Sequence, residues 1–184
     1  MAGDSRRLMI ETTALLLATK GLQGASFSEV LTASGAPRGS IYHHFPDGKD
    51  QLVSEAVELA RMRAVNALEA TRGEPAETVA RTFVGLWRQI LTGAAFRAGC
   101  AVVAVTVAAD DERVDQAAGV FRGWRGLLGE LLVEGGVAAN RAPGLAALLV
   151  AACEGAVVVA RAERSVDAFD DALGEVIAVV SAAT

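Results

Sequence analysis

Apolar positions recur at three- and four-residue spacing through most of the chain, and this pattern predicts helices. Near the N-terminus Met9, Ile10, Thr13, Leu16 and Leu17 fall on one face, and the stretch closes on Lys20-Gly21, a basic residue followed by glycine, as a helix C-terminus should. Ser26-Phe27-Ser28-Glu29 has the form of a capping box, in which the Ser26 hydroxyl and the Glu29 carboxylate each satisfy a free amide at a helix start. The short second helix turns Val30 and Leu31 inward and stops at Ser34-Gly35. A third runs from about Pro37, taken as its first residue because a missing amide costs nothing there, to Phe45, where Pro46 ends it. Asp47-Gly48-Lys49-Asp50 can cap a longer fourth helix, whose Leu52, Ala56, Leu59 and Ala60 keep one apolar face up to about Ala70.

Thr71 to Pro75 reads as a hinge. Beyond it the pattern predicts helices at about Ala76–Leu91, Arg97–Ala109, Arg113–Glu134, Pro143–Glu163 and Val166–Ala182, punctuated by Gly93, Asp110-Asp111, Gly135-Gly136, Asn140 and Ser165. The expected architecture is all-α, with an N-terminal three-helix head over residues 1–48 and a helical body over residues 49–184.

Composition agrees with helices. Of 184 residues 52% are hydrophobic, enough for a sizeable core, and only 5% are aromatic with four prolines, which disfavours a β-rich fold. A spanning helix needs about 18 nearly uncharged apolar residues. Leu145–Ala160, the longest candidate, is broken by Glu154 and followed by Arg161, so a buried helix or a dimer interface suits it better than lipid. The polar Met1–Arg7 start lacks the apolar segment of a secretory signal, so a cytoplasmic location and no membrane partner are expected. Cys100 and Cys153 have no close His or Cys at metal-ligand spacing and read as small core residues. The formal charge of −5 argues against general attraction to nucleic acid. In the first fifty residues, however, Arg6, Arg7, Lys20, Arg38 and Lys49 balance Asp4, Glu11, Glu29, Asp47 and Asp50, which leaves the excess acid in the body.

Three short helices, the second and third joined through Ser34-Gly35-Ala36-Pro37, have the spacing of a helix-turn-helix. At about 100° per residue, Ile41, His44 and Phe45 fall on one side of the third helix, and Arg38, Gly39, Tyr42 and His43 on the other. The second group gathers hydrogen-bonding side chains around a glycine. A helical glycine costs about 1 kcal/mol relative to alanine, so Gly39 needs a reason: close approach of DNA, or tight packing against a neighbouring helix.

The segment Ser26–Leu52, SFSEVLTASGAPRGSIYHHFPDGKDQL, resembles the DNA-binding signature of the TetR/AcrR regulators, through the Gly35 turn, the Ser40-Ile41-Tyr42-His43-His44-Phe45 core and the Lys-Asp-x-Leu start of the fourth helix. The resemblance spans about the first fifty-five residues. It implies that Arg38, Gly39, Ser40 and His43 face the major groove, with Arg38 the candidate for bidentate reading of a guanine edge, and that Tyr42, His44 and Lys49 contact phosphates. Ser26 and Ser28 complete the expected DNA-binding set. Pro37 stands where the family commonly has Ser or Thr, and the Phe45–Lys49 turn carries an extra residue.

The C-terminal half is similar to the LmrA/YxaF-like branch, through Gly99-Cys100 and the run Glu154–Arg164. This implies a homodimer built by the last two helices and a cavity for a small hydrophobic ligand among the preceding ones. The wide apolar surfaces of those two helices suit a symmetric dimer on physical grounds as well. Glu154 and Arg161, costly if buried unpaired, either line a pocket, pair across a dimer or reach solvent. Trp87, Phe96, Phe121 and Trp124 either line a cavity or pack the core, and Cys100 joins the candidate ligand set.

His43 and His44 are the only histidines and both sit in the third helix. With no P-loop, Rossmann glycine pattern or zinc spacing, neither an enzyme, a cofactor nor a metal is expected. The expected function is a ligand-responsive DNA-binding regulator, a repressor by resemblance, acting on a palindromic duplex operator. The alternative is a helical dimerisation protein without DNA binding, and salt-dependent binding to duplex DNA separates the two.

Overall fold

The computed structural model describes residues 2–108 and 111–184. Among these the chain forms α1 (Ala2–Lys20), α2 (Phe27–Ser34), α3 (Arg38–His44), α4 (Lys49–Glu69), α5 (Ala76–Gly93), α6 (Ala101–Thr106), α7 (Asp111–Glu134), α8 (Ala142–Glu163) and α9 (Asp167–Ser181), with no strand among the described residues. It divides into two compact units, residues 1–61 with 100–118 and residues 62–99 with 119–184, so that α4 and α7 each pass from one unit into the other.

In the N-terminal unit α1 packs against α2, α3 and α6. Met9, Leu17, Val30, Ile41, Phe45, Leu52, Val53 and Val57 are almost wholly buried and form its core. Each large apolar side chain so placed contributes about 1.5–3 kcal/mol. Thr13 is buried on the same face of α1, and its hydroxyl donates to the Met9 carbonyl at 2.8 Å, which removes the cost of burying it. The Arg6 guanidinium lies 5.4 Å from the centre of the Phe45 ring and pairs with Glu55 at 2.6 Å, so α1 holds both the end of α3 and the start of α4. Gln116 and Arg113 at the start of α7 tie to α4, the first by donating to the Ser54 hydroxyl at 2.7 Å and the second by pairing with Asp50.

In the C-terminal unit α5, α8 and α9 pack together. Val79, Ala80, Phe83 and Leu91 of α5 meet a core that includes Leu149 and Cys153 of α8 and Phe169, Leu173 and Val180 of α9. Arg88 of α5 forks onto Asp170 of α9, with its Nε 2.9 Å from one carboxylate oxygen, and Ser181 donates to Glu77 at 2.9 Å. The turn after α7 passes so close to the start of α5 that only glycine fits: a Cβ on Gly135 would stand 2.4 Å from the Ala76 nitrogen, which instead donates to the Gly135 carbonyl at 3.1 Å.

Two expectations need correction. The helix predicted from Arg97 begins only at Ala101, because Ala95 and Phe96 adopt left-handed backbone (φ 48° and 60°) and Cys100 caps the helix, its Sγ accepting from the Val103 amide at 3.4 Å. Its expected end, Ala109, lies outside the described residues. In addition, α8 is long and apolar enough to cross a membrane by length and composition, since a window of it tolerates Glu154. Nine of its 22 residues are buried inside the protein.

Candidate nucleic-acid interface

The segment from Ser26 to Lys49 is shaped by its caps. The Ser26 hydroxyl accepts from the Glu29 amide at 3.2 Å and starts α2. The reciprocal half of the capping box is not what engages Glu29: its carboxylate reaches back to Lys20 at 2.5 Å, closing α2 onto the end of α1. Gly35 ends α2 with φ 68°, its amide donating to the Leu31 carbonyl, a conformation that a side chain would strain. Pro37 stands one place earlier than expected, at the cap of α3 in extended backbone, and has no side-chain donor or acceptor. No side chain caps α3; Ser40 fastens its first turn instead, its amide and hydroxyl both donating to the Pro37 carbonyl, at 2.9 and 2.6 Å.

Helix α3 then displays the two faces read from its sequence. Ile41 and Phe45 are fully buried, and His44 is half-buried with its ring 6.4 Å from that of Phe45. Arg38, Gly39, Tyr42 and His43 are exposed, Tyr42 by 70%, with its ring edge-on to Phe27 at 5.5 Å. A Cβ on Gly39 would meet nothing within 4 Å, so packing inside this chain does not explain the glycine. Beside it Ser28, Leu31, Thr32, Gly35, Ala36 and Arg38 line a small hollow of about 210 Å³ between α2 and α3. Thr32, one turn beyond Ser28, was not among the expected contacts, although its helical spacing puts it on the same face.

The charges of the head are mostly settled within it. Arg6 pairs with Glu55, Arg7 with Glu11 at 3.7 Å, and Lys20 with Glu29. Lys49 donates to the Leu22 carbonyl at 3.0 Å and so binds the start of α4 to the α1–α2 turn. Among the described residues Arg38 is the one cation of the first fifty with neither a carboxylate nor a carbonyl partner. An unengaged guanidinium on an exposed helix face keeps its full donor fork for an external acceptor.

In the C-terminal unit Trp87, Phe121 and Trp124 meet, with ring centres 5.8 Å apart for the two tryptophans and 5.7 Å for Phe121 and Trp124. Phe83, one turn before Trp87, completes the cluster at 6.0 and 6.4 Å from the two tryptophans and was missed. Trp87 is only 4% exposed and its indole Nε1 has no hydrogen-bond partner. Glu154 is half-buried on α8 and helps burial push the neighbouring Cys153 thiol well above the usual range. Phe96 makes no ring contact with this cluster among the described residues, Cys100 caps α6, and Arg161 lies exposed on the α5–α6 loop. An open hollow of about 660 Å³ lies elsewhere, beside Arg122, Arg125 and Gly129 of α7 and Pro143 of α8, and none of the seven expected ligand residues borders it.

Comparison with known proteins matches both parts of the chain. Residues 9–56 fit the family model of the bacterial regulatory proteins of the TetR family, and residues 75–175 that of the LmrA/YxaF-like transcriptional regulator C-terminal domain. This chain is a TetR-family transcriptional regulator. An uncharacterised HTH-type transcriptional regulator of Mycobacterium tuberculosis is 35% identical to it, over 90% of this chain and 88% of that protein. The HTH-type transcriptional regulator LmrA of Bacillus subtilis is 38% identical over 42% of this chain and 43% of its own length. Among solved structures, a TetR-family regulator from Agrobacterium tumefaciens superposes with a TM-score of 0.82 at 19% identity, covering 97% of this chain and 98% of that one, and so shares the fold. Members of the TetR family are not enzymes; they bind DNA and act as dimers. The regulator therefore carries a helix-turn-helix DNA-binding domain within residues 9–56, in which α3 is the second helix of the motif.

Proposed function

We propose that the regulator is a cytoplasmic repressor that binds a palindromic duplex operator as a homodimer and leaves it when a small hydrophobic molecule enters its body. Residues 1–48 do the DNA binding and residues 49–184 the dimerisation and sensing. The observation that carries the reading is the exposed face of α3, where an unengaged Arg38 stands beside a glycine that the chain's own packing does not require. Arg38, Gly39, Ser40 and His43 enter the major groove, Arg38 on a guanine edge. Tyr42, His44 and Lys49 lie against phosphates, and Ser26 and Ser28 meet the backbone beside the start of α2.

Exposed Leu148, Val158 and Val159 on α8 and Val179 on α9 support the dimer, since apolar surface of this kind is costly in water and a two-fold axis covers it with its own copy. The aromatic cluster supports the sensing role: Trp87 offers a buried donor without an acceptor, next to Trp124 and Phe121, and an apolar molecule carrying a carbonyl or hydroxyl oxygen satisfies it. The repressor sign follows the family resemblance.

The test is a duplex selected from a random pool, titrated at several salt concentrations. The reading expects a palindrome with half-sites about 34–36 Å apart and affinity falling steeply with salt. Absence of any enriched sequence, with salt-independent residual binding, would refute it. For sensing, a compound that quenches tryptophan fluorescence must bind the operator complex more weakly than the free protein, by the factor by which it weakens operator binding; equal affinities exclude that compound as inducer.

A further inference from the structure

The least relaxed backbone in the C-terminal unit lies in the loop between α5 and α6. Ala95 and Phe96 are consecutive non-glycine residues at φ 48° and 60°, where an L side chain crowds its own carbonyl. Such a pair persists only where surrounding contacts hold it. Three of these are local: Ala95 donates to the Thr92 carbonyl at 3.1 Å, Phe96 to Leu91 at 2.8 Å and Arg97 to Ala94 at 3.1 Å. The fourth comes from 64 residues away. Arg161, in the last turn of α8, donates from Nη2 to the Arg97 carbonyl at 3.2 Å.

The guanidinium also lies directly on Gly99. A Cβ there would stand 2.8 Å from Arg161 Nη1, closer than a Cβ approaches other atoms, and 3.3 Å from its Cδ, a tight contact. Gly99 is buried and its φ is not in the left-handed region, so its missing side chain serves the fit of Arg161 rather than the turn. Among the described residues no carboxylate pairs with Arg161, and the loop is where its donors are used. The next residue, Cys100, caps α6, and α6 packs against α1 in the N-terminal unit. The contacts of Arg161 thus end at Gly99, one residue before the cap of the helix whose start they would set.

We infer that Arg161 is a latch: its guanidinium, seated on Gly99 and bonded to the Arg97 carbonyl, holds the α5–α6 loop in its left-handed form and so fixes where α6 begins. Release lets Ala95 and Phe96 relax to ordinary backbone and frees the first turn of α6. On the sensing function proposed above, on which this consequence alone rests, a shift of α8 reaches the helix packed on α1 through this loop.

Hydrogen exchange on the full-length protein, free of DNA and ligand, tests the latch without requiring an operator. Two variants break the contact from opposite sides. Arg161→Ala removes the guanidinium, and Gly99→Ala pushes it away at low cost, because the atom its new Cβ meets is the far end of a flexible side chain. Each should speed exchange of amides 96–106 by about tenfold or more while residues 149–157 of α8 keep their wild-type rates, and the double variant should exchange no faster than either alone. If Arg161→Ala does not fold, Gly99→Ala and Arg161→Lys, which keeps the stem and charge without the planar fork, carry the same comparison. Unchanged exchange over 96–99, acceleration that stops before Ala101, or effects that multiply in the double variant would each overturn the inference.

Discussion

Helices α3 and α8 are both surface-forming, but they display opposite chemistry. Around α3 the unit settles its charges internally, through Arg6 on Glu55, Lys20 on Glu29 and Lys49 on the Leu22 carbonyl, and leaves Arg38, Tyr42 and His43 facing outward. Along α8 charged groups are sparse before the exposed Arg161 and Glu163 of its last turn, and its large exposed side chains ahead of them are Leu148, Val158 and Val159. A face of unengaged donors suits an acceptor-rich polyanion, and it can be altered at little cost to the fold. A face of exposed aliphatics suits another apolar face, and it stands one residue away from positions on which the fold depends. Substitutions in the two helices should therefore separate cleanly into losses of binding and losses of structure or assembly.

The largest effect is expected where apolar packing is complete. Val180 is fully buried in α9, so Val180→Asp places an unpaired charge or a strained neutral acid in the core, at a cost of several kcal/mol against a total stability of about 5–15 kcal/mol. Circular dichroism should find it unfolded or melting far below wild type; a wild-type melting curve would mean that α9 is not packed as described. Val158 is 61% exposed, and Val158→Asp should keep the helical signal yet sediment as a monomer at micromolar concentration. A variant that remains dimeric would remove this face of α8 from the interface.

Smaller effects sharpen the contrast in the head. Lys49→Ala loses both the tie to Leu22 and one cation beside the proposed phosphate track. It should weaken all duplexes alike and flatten the slope of log K against log salt by about 1 for each Lys49 removed. A loss confined to one sequence would assign Lys49 to base reading. The least visible effect concerns Cys153. Burial, then the adjacent Glu154, raise its thiol well above the usual range, so it stays protonated and inert at pH 8. Iodoacetamide should label Cys153 only after denaturant is added, and labelling of the native protein would show that the α8 core opens.

What the sequence revealed follows the same division. The head was legible nearly to the residue, because capping and turn chemistry are local: Ser26, Gly35 and Pro46 mark boundaries by what their own side chains or backbones permit. The opposed faces of α3 followed from helical geometry alone. Two errors there were also local, since Pro37 suits a cap as well as a first helical position, and Glu29 had a closer cation in Lys20 than the amide it was expected to reach. In the body, apolar periodicity placed α5, α8 and α9 but not α6. α6 starts after left-handed backbone at Ala95 and Phe96, in a loop that Arg161 reaches from far along the chain, and no pattern within Gly93–Ala109 contains that contact. Phe83 was legible in principle from its one-turn spacing to Trp87, whereas the unpartnered Trp87 nitrogen was not, because satisfaction of a buried donor is a property of the packed structure.

The central claim is that α3 reads DNA through Arg38. Fluorescence anisotropy on a duplex selected by the wild-type protein, repeated with each base pair of the half-site changed in turn, tests it directly against Arg38→Ala. The variant should melt as wild type does, lose about 1–3 kcal/mol on the selected duplex and become indifferent to one G·C pair while keeping its preferences elsewhere. Wild-type affinity with the full pattern of base preferences retained would contradict the claim and place recognition on another part of the protein.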